Sequence, residues 1–198
     1  GAALALSSLT ILWLWTTPLA TALAAGAILS YVLIYTPLKY KTPLALFIGA
    51  FPGAVPPLLG WAAITGEVGW GGLSLFAVLL VWQMPHYIAI TLFRKDEFAR
   101  AGIRCVPVVR GDQVAKIQAL LWSLALVPIA ILPSLLGVTG LIYGVSALVV
   151  SLIFFGWSVS GLWAPKTAVW ARSFFFASLL FLPAVVAALI VDVLVVGS

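Results

Sequence analysis

Long runs of apolar residues alternate along the chain with short polar connections. A run of about 20 apolar residues is the length that an α-helix needs to cross the hydrocarbon core of a bilayer. The runs lack the alternation of apolar and polar residues that marks the strands of a membrane barrel. The pattern predicts seven helical segments, at roughly 1–16, 18–36, 44–64, 72–93, 116–136, 139–163 and 172–196.

Composition makes a membrane the only suitable solvent for these helices. Hydrophobic residues make up 64% of the 198 residues and charged residues 8%, and the mean hydropathy is +1.24. Soluble domains carry about 25% charged residues, so too few polar residues are present here to coat a soluble surface. We therefore predict an all-α, polytopic transmembrane helix bundle that forms a single membrane domain over residues 1–198.

The basic residues all fall on connections that an alternating topology puts on one side of the membrane. They are Lys39, Lys41, Arg94, Lys95, Arg100, Arg104, Arg110, Lys116, Lys166 and Arg172. The positive-inside rule predicts that this side is cytoplasmic. Topology thus accounts for the basic pI of about 9.7, and no nucleic-acid partner is expected.

The longest connection, residues 94–115, follows the element Trp82-Gln83-Met84-Pro85-His86 and holds three of the five acids, Asp96, Glu97 and Asp112. Adjacent carboxylates among Lys and Arg side chains are what a magnesium–diphosphate site needs, because carboxylates bind the hard cation and the basic groups bind phosphate. The alternative is that these acids only reduce repulsion within a positive-inside loop. The residues alone leave both interpretations open.

The remaining acids and the single histidine have simpler interpretations. Asp112 precedes a predicted helix and is expected to be its N-cap. Glu67 and Asp192 lie on the opposite side and are expected to be solvated. His86 either packs or binds substrate. The single cysteine, Cys105, excludes an internal disulfide and is interpreted as incidental.

The third segment combines small residues with prolines. Gly49 and Gly53 form a small-xxx-small motif that permits a close approach to a neighbouring helix. The same segment carries three prolines, Pro52 within this motif and Pro56 and Pro57 after it. Prolines at membrane depth are tolerated where neighbours or a water-lined cavity pair the freed carbonyls, so a kinked packing helix and a cavity wall both remain possible.

Several of these elements together resemble a known family. The Trp82–His86 element, the sequence Val106-Pro107-Val108-Val109-Arg110-Gly111 and the stretch Gly53–Gly66 resemble the haem-farnesylating members of the UbiA superfamily of intramembrane prenyltransferases. The resemblance covers about residues 31–176. It implies nine transmembrane helices, so that the seven expected here lack the first two. It also implies a first acidic motif, Asn-x-x-x-Asp-x-x-x-Asp, which this sequence does not contain.

The resemblance implies a set of site residues in this chain. Glu97 and Asp96 are expected to be catalytic and to bind Mg²⁺ together with diphosphate. The expected diphosphate-binding residues are Lys39, Lys41, Arg94, Lys95 and Arg100. The residues expected to bind the acceptor or to stabilise a carbocation are His86, Trp82, Tyr87 and Tyr35. Without the first acidic motif, the 198-residue chain by itself is expected to be inactive.

The implied reaction transfers a farnesyl group from farnesyl diphosphate to a vinyl group of haem B, with addition of water, to give haem O. Mg²⁺ is the implied cofactor, and the implied location is the inner membrane of a bacterium with the site loops in the cytoplasm. A quinone-type or chlorophyll-type acceptor is an alternative, as is a membrane transporter with broken helices. The residues give no basis for a contact with a haem A synthase.

Overall fold

The computed structural model describes residues 1–196, and within them it is helical and contains no strand. The helices are α1 (Ala2–Trp15), α2 (Pro18–Leu38), α3 (Ala45–Thr65), α4 (Trp70–Phe93), α5 (Lys95–Arg100), α6 (Val106–Arg110), α7 (Asp112–Leu135), α8 (Leu141–Trp163) and α9 (Thr167–Val196). In the part of the chain that the structure describes, six of them are long and apolar enough to cross a membrane, and α1 is a shorter apolar helix. The predicted all-α membrane bundle with seven apolar segments is confirmed.

Two helices begin earlier than the apolar pattern predicts. The α7 helix begins at Asp112 rather than near residue 116, and α9 begins at Thr167 rather than near residue 172. In α7 the extra turn carries the polar residues Asp112 and Gln113 and precedes Lys116, and in α9 it begins with Thr167 and precedes Arg172. Hydropathy marks only the part of a helix that lies in hydrocarbon, whereas backbone hydrogen bonding continues beyond it.

A threonine fixes the start of α2 and ties it to the end of α3. The Thr17 side chain accepts a hydrogen bond from the backbone N–H of Ala20 at 3.2 Å, and Pro18 occupies the first helical position. The Thr17 hydroxyl also donates to the carbonyl oxygen of Ala62 at 2.8 Å. Gly66 then ends α3 with a φ of 76°, a left-handed conformation that favours glycine.

The centre of the bundle is α4, which packs against α3, α7 and α9, while α8 packs against α7 and α9. Stacked phenylalanines fill the contact between α8 and α9, with the ring centroids of Phe154 and Phe174 4.6 Å apart. At the edge of the bundle, α1 has no buried residue, and α2 buries only Ala20 and Ala24 before its final turns. The packed core therefore lies on the α4 to α9 side.

The third membrane helix remains continuous although it contains Pro52, Pro56 and Pro57. A Cβ atom on Gly49 would lie 2.5 Å from Cδ2 of Tyr35, and one on Gly53 would lie 2.6 Å from Oε1 of Gln83. Gln83 is buried in α4 and donates from Nε2 to the carbonyl oxygen of Ala50 at 2.7 Å. The predicted close approach at this motif therefore exists, and side chains of α2 and α4 make it.

The prediction for Asp192 is wrong. This residue is completely buried, and its carboxylate accepts hydrogen bonds from the backbone N–H groups of Gly140 and Tyr143 at the start of α8. The first N–H groups of a helix have no partner within the helix and form the positive end of its dipole. These donors compensate the burial of a carboxylate that water would otherwise have to solvate. Glu67, by contrast, is exposed as predicted.

A lysine from a neighbouring helix lies at the other end of α8. Lys116 of α7 is buried, and its Nζ donates to the carbonyl oxygen of Ala164 at 3.1 Å, just after the end of α8. The amine also lies 5.9 Å from the ring centroid of Trp170. Two neighbouring helices thus supply opposite charges to the two ends of α8, in the orientation that its dipole favours.

Asp112 is the first residue of α7 rather than its predicted N-cap, so that prediction is also wrong. Gly111 occupies the cap position with a φ of 85°, and the Asp112 side chain makes no capping hydrogen bond. Its carboxylate instead pairs with Nζ of Lys95 at 2.7 Å. A nearby ammonium group has taken the place of the backbone N–H donors that a capping aspartate would use.

Candidate active site at the basic end

The basic connections meet at one end of the bundle, where α2, α4 and α8 finish and α3, α7 and α9 begin. We call this the basic end. The backbone N–H of Arg104 donates to the carbonyl oxygen of Lys39 at 3.1 Å, which joins the long loop to the α2–α3 connection. The guanidinium of Arg172 lies 5.8 Å from the ring centroid of Phe93, which joins the start of α9 to the end of α4. The fold therefore gathers the basic residues as the alternating topology predicts.

The adjacent acids lie on the short helix α5, within the long loop. Asp96 and Glu97 occupy its first turn, and Arg100 occupies its last. Acids near the start of a helix and a base near its end match the helix dipole, which explains why six residues form a helix here. Gly102, with a φ of 69°, then turns the chain away. Both acids are exposed at the basic end.

The loop contains two ion pairs of different character. Nζ of Lys95 lies 2.7 Å from the carboxylate of Asp112 and fixes α5 against the start of α7. The pair between Arg94 and Glu97 is longer, at 3.4 Å, and both side chains are more than half exposed, at 55% and 58%. An exposed ion pair contributes little and is readily exchanged, so Glu97 remains available to a ligand. Lys95, in contrast, is engaged by Asp112.

The two acids of α5 fit a metal that arrives with its own oxygen ligands. In the described residues, the Asp96 carboxylate has no ion-pair partner, and no cluster of three or more His, Cys, Asp or Glu side chains could hold a metal. Mg²⁺ is typically bound through one or two carboxylates together with phosphate oxygens and water. Asp96 and Glu97 therefore fit a magnesium–diphosphate complex better than a metal held by protein ligands alone.

A cavity of about 280 Å³ opens beside this loop between α2, α3 and α4. Its lining residues are Tyr31, Tyr35, Leu46, Gly49, Tyr87, Ile90, Thr91 and Phe98. Tyr31 and Tyr35 belong to a π-helical segment of α2, Ser30–Tyr35, and their ring centroids are 4.9 Å apart. Such segments are frequent at functional sites. Tyr35 and Tyr87, both predicted from the sequence, meet in this cavity.

The loop contributes one wall of the cavity and its charged rim. Phe98 lines the cavity and directly follows the two exposed acids, so the carboxylates lie within one helical turn of a cavity-lining residue. Nζ of Lys39 lies 6.0 Å from the ring centroid of Tyr35 and 5.2 Å from that of Tyr40. The arrangement of a charged rim over an aromatic interior suits a molecule with an ionic head and an apolar body.

The other predicted phosphate ligands also lie at the basic end without lining the cavity. Lys41 and Arg100 are both exposed. Nε of Arg100 donates to the backbone carbonyl of Asp96 at 3.3 Å, within α5. Arg94 is engaged with Glu97 and also lies 5.8 Å from the ring centroid of Phe93.

Trp82 and His86 lie on a different face of α4, against α9. The indole N–H of Trp82 donates to the carbonyl oxygen of Ser178 at 3.1 Å, and Nδ1 of His86 lies 2.7 Å from the Ser178 hydroxyl. The His86 ring is between those of Trp82 and Phe175, with centroid distances of 4.9 Å and 5.0 Å. We call the side of α4 with Trp82 and His86, together with Phe175 and Ser178 of α9, the closed face. The side of α4 with Tyr87, Ile90 and Thr91 is the cavity face.

Helix geometry explains why the predicted aromatic set divides. Residues four apart share a face of a helix, whereas adjacent residues are about 100° apart around its axis. Trp82 and His86 therefore face α9 together, and Tyr87 turns towards α2 and α3. The structure brings Tyr35 and Tyr87 together but leaves Trp82 and His86 outside the cavity.

Some residues of these two faces carry little signal in the sequence. Phe98, Tyr31 and Gly49 line the cavity but were not among the predicted site residues. Ser178 organises the closed face from within the apolar run of α9. A single serine in such a run is a weak signal, because serine often bonds the carbonyl of its own helix, as Ser178 also does to Phe175.

Cys105 lies in the long loop and does not line the cavity. It is buried in the loop, and burial raises the pKa of its thiol. A thiol with a raised pKa is neutral at physiological pH and unreactive. This agrees with its interpretation as incidental.

Comparison with known proteins identifies the family. The profile of the UbiA prenyltransferase family matches residues 1–180. A relative named protoheme IX farnesyltransferase from Myxococcus xanthus (strain DK1622) is 45% identical over 192 residues, which are 97% of this chain and 65% of the relative. Its namesake from Sorangium cellulosum (strain So ce56) is 45% identical over 191 residues, which are 96% of this chain and 68% of the relative. The chain spans about two thirds of the length of these relatives.

A solved structure agrees at the level of the fold. It is described under digeranylgeranylglyceryl phosphate synthase in membranes and matches with a TM-score of 0.81 over 96% of this chain and 67% of its own. The sequence identity is 20%, so this likeness concerns the fold alone. The family match and the two relatives lead to one conclusion: the chain belongs to the UbiA prenyltransferase family.

Proposed function

We propose that the protein containing this chain transfers a farnesyl group from farnesyl diphosphate to a vinyl group of haem B and so makes haem O. The support is the 45% identity over nearly the whole chain to relatives named protoheme IX farnesyltransferase. One structural observation supports this reaction: an aromatic cavity opens beside a helix with two adjacent, exposed carboxylates. Family membership favours prenyl transfer over the alternative of a transporter.

The diphosphate binds at the rim of the cavity in this proposal. Asp96 and Glu97 hold Mg²⁺, which supplies positive charge to the leaving diphosphate when it is bound. Lys39 and Arg94 donate to the phosphate oxygens, and Arg94 exchanges its weak pair with Glu97 for this purpose. Lys41 and Arg100 add positive charge nearby. Lys95 positions α5 through Asp112 rather than binding phosphate itself.

The bond between the farnesyl C1 and the diphosphate oxygen then breaks, and the electron pair leaves with diphosphate. The allylic carbocation that remains needs an apolar site with aromatic faces, and Tyr35 and Tyr87 supply them. The haem vinyl group attacks C1 and forms the new carbon–carbon bond. Water adds to the resulting cation beside the porphyrin and releases a proton, which gives the hydroxylated farnesyl side chain.

The closed face has a supporting role in this proposal. His86 is held by Ser178 and stacked between two rings, so it positions α4 against α9. The resemblance implies that His86 and Trp82 bind the acceptor or stabilise the carbocation, and both roles remain predictions. For His86 the role to test is binding of haem. It requires that His86→Ala lowers haem B affinity more than Ser178→Ala does.

The test is conversion of haem B to haem O in membranes that contain the complete protein, measured by chromatography with farnesyl diphosphate and Mg²⁺ present. The paired change Asp96→Asn with Glu97→Gln is expected to lower turnover about a thousand-fold, because charge stabilisation of the departing group is lost. Glu67→Gln, an exposed acid at the opposite end, is the matched control and should have no effect.

Undiminished turnover in the paired variant would contradict the proposal. So would farnesyl transfer to a quinone-type ring but not to haem B, which would favour the alternative acceptor. The 198-residue chain alone is expected to show no turnover, since it contains no Asn-x-x-x-Asp-x-x-x-Asp motif to complete the metal site. Magnesium-dependent transfer by this chain would overturn that expectation.

We also propose that the protein is located in a bacterial inner membrane with the basic end in the cytoplasm. The positive-inside rule supports this orientation. Cys105 is the single cysteine and is buried, so a cysteine introduced elsewhere reports topology. In intact cells, a membrane-impermeant thiol reagent should label Glu67→Cys and not Lys166→Cys; the reverse would contradict the orientation.

A further inference from the structure

A groove runs along the outer surface of the bundle between α8 and α9, away from the candidate active site. It has a volume of about 470 Å³, within the range of ligand pockets, which is about 300–1,000 Å³. Its walls include Phe154 and Trp157 of α8, and Phe176, Leu180 and Ala184 of α9. We call it the α8–α9 groove. It shares no lining residue with the cavity beside α5.

The groove continues into a second, more polar depression at the basic end. This depression has a volume of about 380 Å³ and is lined by Arg172 and Ala168, among others. The two share Ser173 and Phe176, so they form one path from the basic end into the bilayer. At their junction the indole N–H of Trp157 donates to the Ser173 hydroxyl at 3.4 Å.

Arg172 gives this path a charged mouth. Its side chain is exposed, and among the described residues no carboxylate lies within ion-pair distance of it. Its guanidinium lies over the ring of Phe93, 5.8 Å from the centroid. Trp163 and Lys166 are also exposed on the connection that precedes α9. Exposed tryptophan and lysine at a helix end are typical of the level of the lipid headgroups.

The length of the groove matches one leaflet. From Ser173 to Ala184 the helix rises roughly 16 Å, at about 1.5 Å per residue, which is about half of the ~30 Å hydrocarbon core. A single-leaflet apolar path with an unpaired cation at its headgroup end has the shape and charge of one anionic phospholipid. Basic pockets between membrane helices on this side are known to bind anionic headgroups.

We propose that the α8–α9 groove is a binding site for an anionic phospholipid, with the phosphate at Arg172 and one acyl chain along Phe176 and Leu180. The aromatic and apolar walls hold the chain, and Arg172 selects the headgroup. The site is separate from the proposed chemistry and does not depend on it.

The test uses native mass spectrometry of the complete protein, titrated in separate experiments with phosphatidylglycerol and phosphatidylcholine of the same acyl composition. Phosphatidylglycerol should bind about five-fold more tightly, the effect expected of one cation close to an anionic headgroup. Arg172→Gln should abolish the preference and Arg172→Lys should keep it. Arg110→Gln removes an exposed cation of the same end outside the groove, and it should leave the preference unchanged.

A second pair of variants tests the acyl chain. Ala184 lines the groove and is exposed, so Ala184→Phe fills the path and should weaken both lipids. Ala187→Phe, at an exposed position of α9 outside the groove lining, is the matched control. Equal binding of the two lipids would show ordinary lipid contact only and overturn the proposal. Displacement of bound phosphatidylglycerol by farnesyl diphosphate would overturn it as well, because the groove would then be a substrate path.

Discussion

The two faces of α4 differ in what surrounds them. On the closed face, the Trp82 indole N–H and Nδ1 of His86 both have hydrogen-bond partners on Ser178, and the His86 ring lies between those of Trp82 and Phe175. On the cavity face, Tyr87 lines a cavity of about 280 Å³. One short element of sequence thus supplies both a tightly packed interface and the wall of a candidate substrate cavity. The closed face should govern stability, and the cavity face should govern turnover.

The largest expected effect concerns the closed face. Trp82→Ala removes a buried indole, its stack on His86 and its hydrogen bond to Ser178. Removal of a large buried aromatic side chain costs about 3–5 kcal/mol in the free energy of unfolding. Unfolding in detergent micelles, followed by circular dichroism, measures this loss. Trp163→Ala, at a position that is 75% exposed, should change the free energy of unfolding little. Equal losses in the two variants would contradict a special role of the closed face in stability.

A smaller effect, on activity, is expected at the cavity face. Gly49→Ala adds a Cβ atom 2.5 Å from the ring of Tyr35, so the ring must move and the cavity must change shape. Misplacement of this kind should lower turnover of haem B about ten-fold, and the overpacking should cost no more than about 1–3 kcal/mol in the free energy of unfolding.

Gly60→Ala in the same helix is the matched control. No atom outside its own helix segment lies within 4 Å of a Cβ added there, so turnover should stay unchanged. Alanine has the higher helix propensity, and the free energy of unfolding should rise slightly. Equal turnover of the two variants would mean that the cavity does not hold the substrate.

The smallest effect is expected from Ser178→Ala. It removes the hydroxyl that His86 contacts at 2.7 Å but leaves the backbone carbonyl that accepts from Trp82. Loss of one such hydrogen bond should lower the free energy of unfolding by about 1 kcal/mol, with turnover unchanged. A ten-fold loss of turnover without a loss of stability would instead assign His86 to the chemistry and remove the distinction between the two faces.

The fold could be predicted from the sequence because helices in a bilayer depend on local patterns. Apolar length and the position of Lys39, Arg94 and Arg172 were sufficient to obtain the helices and the basic end. Long-range pairing could not be obtained in this way. Asp192 was expected to be solvated, since the helix start that binds its carboxylate lies 52 residues earlier in the chain.

The candidate site was predicted in part for the same reason. Asp96 and Glu97 stand out as adjacent acids in a basic loop, and Tyr35 and Tyr87 are aromatic residues near the basic end. Which face of α4 meets which neighbour depends on packing, so the sequence grouped His86 with Tyr87 although their surroundings differ. The position of Phe98 in the cavity depends on how α5 packs against α4, which the sequence pattern does not show.

The most direct test of the central claim is to locate the farnesyl chain. A farnesyl diphosphate with a diazirine on its last isoprene unit can be crosslinked in membranes that contain the complete protein and Mg²⁺, and the adducts mapped by mass spectrometry. We expect adducts on Tyr31, Tyr35, Tyr87 or Phe98, which disappear in the Asp96→Asn, Glu97→Gln variant. Adducts on the closed face or in the α8–α9 groove, with none in the cavity, would contradict it.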